Sequence, residues 1–162
     1  MEQTLVNGIA DNLLHNIFND LSVGLELYDK DGLMIDVNYS RLRSMGIKDK
    51  KDILGHNLFN YTSFSDEIKE QIRKGETVRF VAKYDFDALR RLFPTYLSGT
   101  KYFEITVSFV HNEKSEVTNY MVITQDVTER VLWQNKYDNL YEEAVRSKKE
   151  LLESEQRMIH LI

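Results

Sequence analysis

The segment from Val23 to Asn38, VGLELYDKDGLMIDVN, contains two short runs in which apolar and polar residues alternate. A period of two residues is typical of β-strands that are buried on one face. The two runs are separated by Asp29–Gly32, and Gly32 can adopt the positive φ that a tight turn requires. The segment therefore predicts a β-hairpin.

Short helices are predicted directly after the hairpin. Asn38 can cap a helix from Tyr39 to Met45, and Gly46 can end it in the left-handed conformation. A further helical turn is predicted from Asp49 to Leu54, and the range Ser65–Gly75 carries both start and stop signals of a third helix. Three short helices are therefore expected after the hairpin.

Three longer strands are predicted in the second half of the chain. Apolar residues alternate with polar ones from Val78 to Tyr84, from Tyr102 to Phe109 and from Tyr120 to Gln125. Burial of one face is typical of an antiparallel sheet. The connection from about Phe86 to Thr100 is long for a hairpin and rich in apolar residues, which indicates a self-packed or functional loop. The predicted fold class is α+β.

Both ends of the chain are predicted to be helical. Apolar residues from Ile9 to Leu21 recur at spacings of three and four, which favours an amphipathic helix over about residues 7–20. From Arg130 to Ile162 the chain contains neither Pro nor Gly, and its apolar residues follow a heptad a/d ladder. The predicted seam comprises Trp133, Tyr137, Leu140, Ala144, Leu151 and Met158, with Ser147 and Ser154 at its weaker positions.

The length of this last helix favours pairing with a second chain. About 35 helical residues extend ~50 Å, which is longer than a small domain is wide. The helix therefore cannot bury its whole apolar stripe on its own domain, and a dimeric coiled coil is expected. A single helix that folds back on the core is the alternative.

Composition excludes several classes of protein. The 162 residues include 21 Lys+Arg and 26 Asp+Glu, which gives a net charge of −5 and argues against a general nucleic-acid binder. The absence of cysteine excludes disulfides, thiol nucleophiles and cysteine metal sites. Neither a stretch of ~20 apolar residues nor a signal-peptide pattern occurs. A cytoplasmic protein, or a cytoplasmic piece of a longer one, is expected.

The order of these elements resembles that of the PAS domain family. Leu27–Asn38 resembles the first hairpin of the family, and Leu54–Phe59 (LGHNLF) resembles its I-G-x-x-hydrophobic-hydrophobic stretch. Asp126–Arg130 (DVTER) resembles the D-[IV]-T-E-R motif at which the last strand meets the signalling helix. The resemblance covers roughly residues 8–130. Two departures are the longer Phe86–Thr100 connection and Ser40-Arg41, where the family often has a small residue.

The resemblance implies a five-stranded antiparallel sheet with helices on one face. It implies an N-terminal helical cap over residues 1–20, a PAS-like sensory domain over 21–126 and a coiled-coil signalling helix over 127–162. The expected function is a sensory and dimerisation module of a bacterial signalling protein, with a two-component sensor histidine kinase as effector. The chain alone is not expected to be an enzyme. The expected relay residues at the junction are Asp126, Thr128, Glu129 and Arg130.

A small ligand pocket is hypothesised from tyrosines and arginines on and between the last strands. Arginine can meet an anionic ligand, and tyrosine offers a hydroxyl on an apolar ring. The alternative is that these aromatic side chains simply pack in the core. The candidate residues are Tyr84, Arg90, Arg91, Tyr96, Tyr102 and Tyr120.

No cofactor is assigned from the sequence. The missing cysteine excludes a flavin–cysteine adduct but not flavin binding. A haem sensor of this family needs an axial histidine, and among His15, His56, His111 and His160 the candidate is His56, at a helix end. A surface or capping role explains His56 more simply. The histidine spacing supports no zinc site.

Two other functions remain open at this point. A PAS fold with an empty core could act only as a dimerisation module. A small isomerase-like α+β enzyme would need a carboxylate in an apolar pocket, for which Asp85 or Glu104 are the candidates. The heptad helix would then have no explanation.

Overall fold

A computed structural model describes residues 2–161, and the side chains of residues 8–161. The described residues divide into two compact units after Val127. The first unit contains a sheet with short helices and an N-terminal helix. The second unit is a single long helix.

The first unit is built on five antiparallel strands, which confirms the predicted α+β class and five-stranded sheet. The sheet has the order β2-β1-β5-β4-β3, so the last strand in the chain lies between β1 and β4. The strands are β1 Gly24–Asp29, β2 Met34–Val37, β3 Val78–Asp85, β4 Thr100–His111 and β5 Val117–Asp126.

Helices occupy the ends of the chain and the connections of the sheet. The predicted turn over Asp49–Leu54 is a 3-10 helix, and a second 3-10 helix follows that the sequence did not indicate. The long connection after β3 begins with a short helix. The helices are α1 Glu2–Asp20, α2 Tyr39–Met45, α3 Asp66–Arg73, α4 Phe86–Leu89 and α5 Thr128–His160, with 3-10 turns at Lys50–Asp52 and Leu58–Asn60.

The hairpin turn is closed by Asp29 and Gly32. Gly32 has a φ of 81°, and the Asp29 carboxylate accepts hydrogen bonds from the backbone N–H groups of Asp31 and Leu33 at 3.0 and 2.9 Å. A carboxylate that binds backbone groups ahead of it in the chain stabilises a tight turn. The predicted turn is therefore present, and it sets the register of β1 against β2.

Asn38 connects the hairpin, α2 and α1. Its side-chain oxygen accepts from the N–H groups of Leu25 and Arg41 at 2.9 and 3.0 Å, and the second bond caps α2. Its amide donates to the carbonyl oxygens of Phe18 and Val23 at 3.0 and 2.9 Å. One buried side chain therefore holds three elements together.

The core lies between the inner face of the sheet and the short helices. Alternate residues of β3, β4 and β5 are buried there, since side chains of a strand point to its two faces in turn. Facing them are apolar residues of α2, α3, α4 and the 3-10 segments. The larger contributors include Met45, Ile53, Leu58, Phe64, Ile72, Phe86, Phe93, Phe103, Ile105 and Val107.

Helix α1 is amphipathic in sequence, but its apolar stripe does not pack on the described part of the chain. Ile9, Leu13, Leu14 and Ile17 are all exposed, whereas Asn19 near the end of the helix is buried. The helix is therefore held to the rest of the unit by its C-terminal turn.

Helix α5 is 33 residues long and buries none of its residues. The predicted C-terminal helix is confirmed, while the pairing of its apolar seam with a second chain stays a prediction. In the part of the chain that the structure describes, no helix combines the length and apolar character needed to cross a membrane.

Candidate functional site

An ion pair lies inside the core, between α2 and β1. The N-terminal turn of α2 directs Arg41 towards the sheet, and Glu26 extends from the inner face of β1. Arg41 Nε donates to Glu26 Oε1, and the two side chains are 1% and 2% exposed. Such a pair needs close partners, because both charges have been removed from water.

Gly24 provides the space for the Arg41 side chain. A Cβ at position 24 would lie 2.3 Å from Thr124 Oγ1 and 3.0 Å from Arg41 Cδ. Glycine within a strand often marks such a close approach. A side chain at position 24 would therefore meet Thr124 first and Arg41 second, which favours glycine opposite Thr124.

Tyrosines surround the ion pair. Tyr28 Oη donates to Glu26 Oε2 at 2.6 Å, and Arg41 Nη2 donates to Tyr84 Oη at 3.5 Å. The Arg41 guanidinium also lies 5.5 Å from the ring centre of Tyr84, close enough for a cation–π interaction. We call Glu26, Tyr28, Arg41, Tyr61 and Tyr84 the polar core cluster.

Burial keeps the phenols of the cluster protonated. Burial, with the charge of Glu26, raises the pKa of Tyr28 well above its ordinary value, and the same two causes raise the pKa of Tyr61. Burial raises the pKa of Tyr84 despite the opposing effect of Arg41. Burial alone lowers the pKa of Arg41, but Glu26 and the nearby tyrosines more than offset this, and its pKa is raised. At neutral pH the cluster therefore holds a charged guanidinium and neutral phenols.

One polar atom of the cluster lacks a partner. Arg41 Nη1 is buried and has no hydrogen-bond partner among the described residues. Unpaired buried polar atoms are rare and call for an explanation. A cavity of about 180 Å³ lies beside Tyr61 and Tyr84 and continues along the end of α4. Its lining comprises Tyr61, Thr62, Ser63, Lys83, Tyr84, Asp85, Ala88 and Leu89.

The tyrosines that were predicted to line a pocket lie in different parts of the sheet. Tyr84 belongs to the polar core cluster. Tyr120 is on the same inner face but at the opposite end of the sheet, edge-on to Phe109 at 5.5 Å. Tyr102 is opposite Lys83 in the register of β3 and β4, so it lies on the outer face.

The other three pocket candidates lie on the connection after α4. Arg90 is exposed, forms an ion pair with Asp87 at 3.2 Å and donates to the Leu97 carbonyl at 2.7 Å. Arg91 and Tyr96 are also exposed. The six predicted residues therefore do not surround one cavity, and only Tyr84 borders the cavity next to the cluster. Tyr84 and Tyr102 point to opposite faces of the sheet, because side chains alternate along a strand. Arg90 forms its polar contacts within its own loop, with Asp87 and Leu97.

Sequence reasoning missed Glu26 and Arg41 as partners. The residues of β1 that face the core are Gly24, Glu26 and Tyr28. The leucines of that strand lie on its other face, although they are the more apolar residues. Two signals were present in the sequence: a glycine at the start of a strand, and Arg41 at a position where a small residue was expected. A long cation directed inward requires a buried carboxylate, and Glu26 provides it.

The junction between strand and exit helix begins at Asp126. Asp126 is the last residue of β5 and binds Lys101 Nζ at 3.1 Å. Val127 is buried, and its N–H donates to the Tyr102 carbonyl at 2.9 Å. Helix α5 then begins at Thr128, so two of the predicted relay residues flank this anchored valine.

The proposed seam of α5 consists of exposed apolar side chains. Trp133, Tyr137 and Met158 are 62%, 66% and 61% exposed. Leu140 and Leu151 are exposed to a similar degree. Large apolar side chains aligned on one helix face are typical of an interaction surface.

The carboxylates considered for an enzyme have other partners. Asp85 accepts the backbone N–H groups of Asp87 and Ala88 at 3.0 and 3.2 Å, and so caps α4. Glu104 accepts from Arg79 at 2.6 Å. Neither carboxylate lies in an apolar pocket.

His56, which was weighed as a haem ligand and set aside for a surface or capping role, packs against an aromatic ring. His56 lies edge-on to Phe93, with 5.7 Å between ring centres. Among the side chains of residues 8–161, no group of three or more His, Cys, Asp or Glu residues could hold a metal ion.

Solved structures share the fold of this chain. An RNA-binding light-oxygen-voltage receptor matches 86% of the chain with a TM-score of 0.68 and 21% identity, and the chain spans 39% of that receptor. The PAS domain of an HTR-like protein from Haloarcula marismortui matches 77% of the chain and 98% of its own length, with a TM-score of 0.58 and 16% identity. A PAS domain from a two-component sensor histidine kinase matches 74% of the chain and 98% of its own length, with a TM-score of 0.56 and 15% identity.

These similarities establish that the chain has the PAS fold. No protein-family model matches the sequence, and no curated protein matches it.

Proposed function

We propose that this chain is a cytoplasmic sensory and dimerisation module that passes a signal through α5 to a bacterial two-component histidine kinase. The observation that carries the proposal is the direct continuation of β5 into α5. Strand β5 is hydrogen-bonded on both sides, and the helix after it exposes an apolar stripe. The likeness to a PAS domain of a sensor histidine kinase supports the choice of effector.

In this proposal, strand β5 responds to changes in the polar core cluster. Val122 of β5 is opposite Glu26 on one side and Val107 on the other. A change in the Glu26–Arg41 pair therefore acts on the strand next to the junction. Val127 fixes the end of that strand to β4, and Asp126, Thr128, Glu129 and Arg130 transmit the change to α5.

A paired α5 provides the bistable element that such a relay needs. Apolar residues at heptad positions pack two helices together, and Ser147 and Ser154 weaken the seam at two positions. Reversing a two-state equilibrium from 1:99 to 99:1 requires about 5.5 kcal/mol of differential binding. A weak seam lowers the barrier to rotation or splaying of the helices.

A ligand-free dimerisation module is the second candidate. It is favoured by the ion pair, because Arg41 and Glu26 occupy part of the interior between α2 and the sheet. Native mass spectrometry separates the two functions. A bound compound, seen as mass added to the purified chain, supports the sensory module. A mass equal to that of the polypeptide in every preparation, including after incubation with cell extracts, supports pure dimerisation.

Cysteine cross-linking tests the relay, since the chain has no cysteine of its own. Leu140→Cys is expected to form a disulfide-linked dimer on mild oxidation, and the control Glu142→Cys, at the outer f position, is not. Adding Asp126→Ala or Thr128→Ala should then change the rate of cross-linking at position 140. An unchanged rate in both double variants would overturn the relay.

A further inference from the structure

We propose that the outer edge of β3 pairs with β3 of a second copy of this chain, and that the charges on this edge select one antiparallel register. Strand β3 is the last strand in the order of the sheet, so the contact would continue the sheet of one copy into that of the other. It does not involve α5 and is separate from the proposed pairing of that helix.

The two edges of the sheet differ in how they are covered. At the β2 edge, the Met34 N–H donates to the His56 carbonyl at 2.9 Å, and the Gly55 N–H donates to the Met34 carbonyl at the same distance. Strand β3 has eight residues against the four of β2, and in the described part of the chain its outer edge has no such backbone partner. An unpaired strand edge is a template for pairing with another chain.

The register with β4 shows which backbone groups of β3 face outward. At the end of β3, the Phe86 N–H donates to the Gly99 carbonyl at 2.9 Å. Hydrogen-bonded and non-hydrogen-bonded pairs alternate along an antiparallel ladder, so the even-numbered residues of β3 bind β4. The N–H and C=O groups that point away from the sheet therefore belong to Arg79, Val81 and Lys83.

The side chains of this edge make one register self-complementary. In that register, Ala82 of the two copies lies at the two-fold axis, where its small side chain fits a close approach. Arg79 of each copy is then opposite Asp85 of the other, and opposite charges in a cross-strand pair attract. Val81 is 47% exposed and is opposite Lys83, whose alkyl stem can cover it. Each Val81–Lys83 pair can also exchange two backbone hydrogen bonds.

Neighbouring registers bring like charges together. A shift of two residues in one direction places Arg79 opposite Lys83, and the same shift in the other direction places Lys83 opposite Lys83. Like charges directly opposite each other in a sheet are destabilising. Charged residues on an edge usually prevent pairing with other chains, but these charges disfavour the neighbouring registers and favour one.

Both members of the charge pair have capacity for a further partner. Arg79 is 66% exposed and binds Glu104 at 2.6 Å through Nη2. Asp85 is exposed and caps α4 through Oδ1. Arg79 Nη1 and Asp85 Oδ2 are not used in these bonds, so they can bind each other across the two-fold axis.

The contact is expected to be transient. It joins one short segment of each copy, whereas stable interfaces bury about 1,200–2,000 Å² of surface. It therefore does not change the molar mass of the chain in dilute solution, but a covalent bond can trap it.

Mixed cysteine cross-linking tests the register, because the chain has no cysteine of its own. Equal amounts of Val81→Cys and Lys83→Cys are oxidised together, and every chain also carries Leu151→Lys to weaken the pairing of α5. Opposite residues have Cβ atoms about 4.5–5.5 Å apart, whereas identical residues of the two copies lie on a diagonal at about 7–8 Å. Random collision gives as much mixed dimer as both homodimers together. The proposed register should raise this ratio to at least about fivefold in intact mass spectra.

Arg79→Glu in both chains of the mixture tests the charges. It sets two carboxylates against each other in each charge pair and should lower the yield of mixed dimer by about three- to tenfold. Lys114→Glu is the matched control, because Lys114 is exposed in the β4–β5 turn and the substitution changes the net charge equally. Its yield should be unchanged, and circular dichroism checks that both variants fold.

Each contrary outcome overturns a defined part of the proposal. A mixed dimer at the level of random collision, or equally abundant when Ile35→Cys on the β2 edge replaces Val81→Cys, overturns the pairing of β3. An excess of the Val81→Cys homodimer overturns the register, and an undiminished yield in Arg79→Glu overturns the role of the charges. The cross-linking of Leu140→Cys does not depend on this edge, so failure here is distinguishable from failure of the relay.

Discussion

Arg41 and Glu26 are the two residues on which the interior of the sheet unit depends. Taking both charges out of water is costly, and the cost is recovered only when the remaining polar atoms are well partnered. Tyr28 satisfies the second oxygen of Glu26, and Gly24 leaves room for the arginine. We expect the pair to fix how α2 packs on β1, in addition to the apolar contacts.

Replacing Arg41 with methionine should destabilise the protein strongly. The variant leaves Glu26 buried without its cation, which typically costs about 3–5 kcal/mol. The measurement is the free energy of unfolding in urea. Arg43→Met is the control, since Arg43 is exposed on the same helix and its loss should change stability by less than about 0.5 kcal/mol. Equal effects of the two substitutions would contradict the role of the pair.

The tyrosines of the polar core cluster should make stability depend on alkaline pH. Their pKa values are raised in the folded protein, so they stay neutral while the unfolded tyrosines ionise near about pH 10. Their contribution to stability is fully present below about pH 10 and is lost as the pH rises further.

Tyrosinate absorbance and unfolding curves across this range check the expectation. Three of the nine tyrosines, Tyr28, Tyr61 and Tyr84, should ionise only as the protein unfolds. In Tyr28→Phe, the number of tyrosines that ionise only on unfolding should fall from three to two. Ionisation of all nine before any loss of structure would show that the cluster is open to water.

At the scale of elements, Asn38 joins the hairpin to both neighbouring helices. Asn38→Ala removes the cap of α2 and the bonds to Leu25, Phe18 and Val23. We expect a loss of about 2–3 kcal/mol in the free energy of unfolding, since a cap contributes ~1 kcal/mol and buried backbone groups lose partners. Asn60→Ala, at an exposed asparagine, is the control for urea unfolding. A similar small effect of both variants would refute the structural role of Asn38.

The elements themselves could largely be predicted from the sequence. The alternation of apolar and polar residues predicted the hairpin and the three long strands, and the heptad spacing of apolar residues predicted α5. Both periods follow directly from strand and helix geometry. The second 3-10 turn, Leu58–Asn60, has no such period. Its start is set by the Asn57 side chain, which accepts the Phe59 N–H at 2.9 Å.

The candidate site was harder to predict than the elements. Tyr84 was identified, but Glu26, Arg41 and Tyr61 were not. These residues come from β1, from α2 and from the position after the second 3-10 turn, which meet only through the tertiary fold. Residue type suggested exposure for Glu26 and Arg41, and only their mutual pairing makes burial possible. A pair of this kind can be predicted from sequence only when both partners are considered together.

At the scale of the whole molecule, apolar side chains are exposed on both terminal helices. The seam of α5 is the longer of the two stripes and follows a coiled-coil spacing. A relay through this helix requires a partner helix, so the proposed function depends on association of two chains.

A single charge on the seam should weaken that association. Leu151→Lys removes an apolar seam residue from each chain, and burial of a leucine is worth about 1.5–3 kcal/mol. We expect dimer affinity to fall by at least about tenfold in sedimentation equilibrium. Leu152→Lys is a matched control, because Leu152 is an equally large, exposed residue one position off the seam. A larger effect at position 152 would place the interface on another face of the helix.

Light scattering of the full chain over a range of concentrations tests the central claim most directly. The paired helix predicts a molar mass that rises to twice the chain mass of 19.1 kDa, and a return to the single mass in Leu151→Lys. A mass of 19.1 kDa at every concentration, with the seam of α5 protected from hydrogen exchange within one chain, would contradict it. The helix would then pack on its own domain and have no second helix to act against.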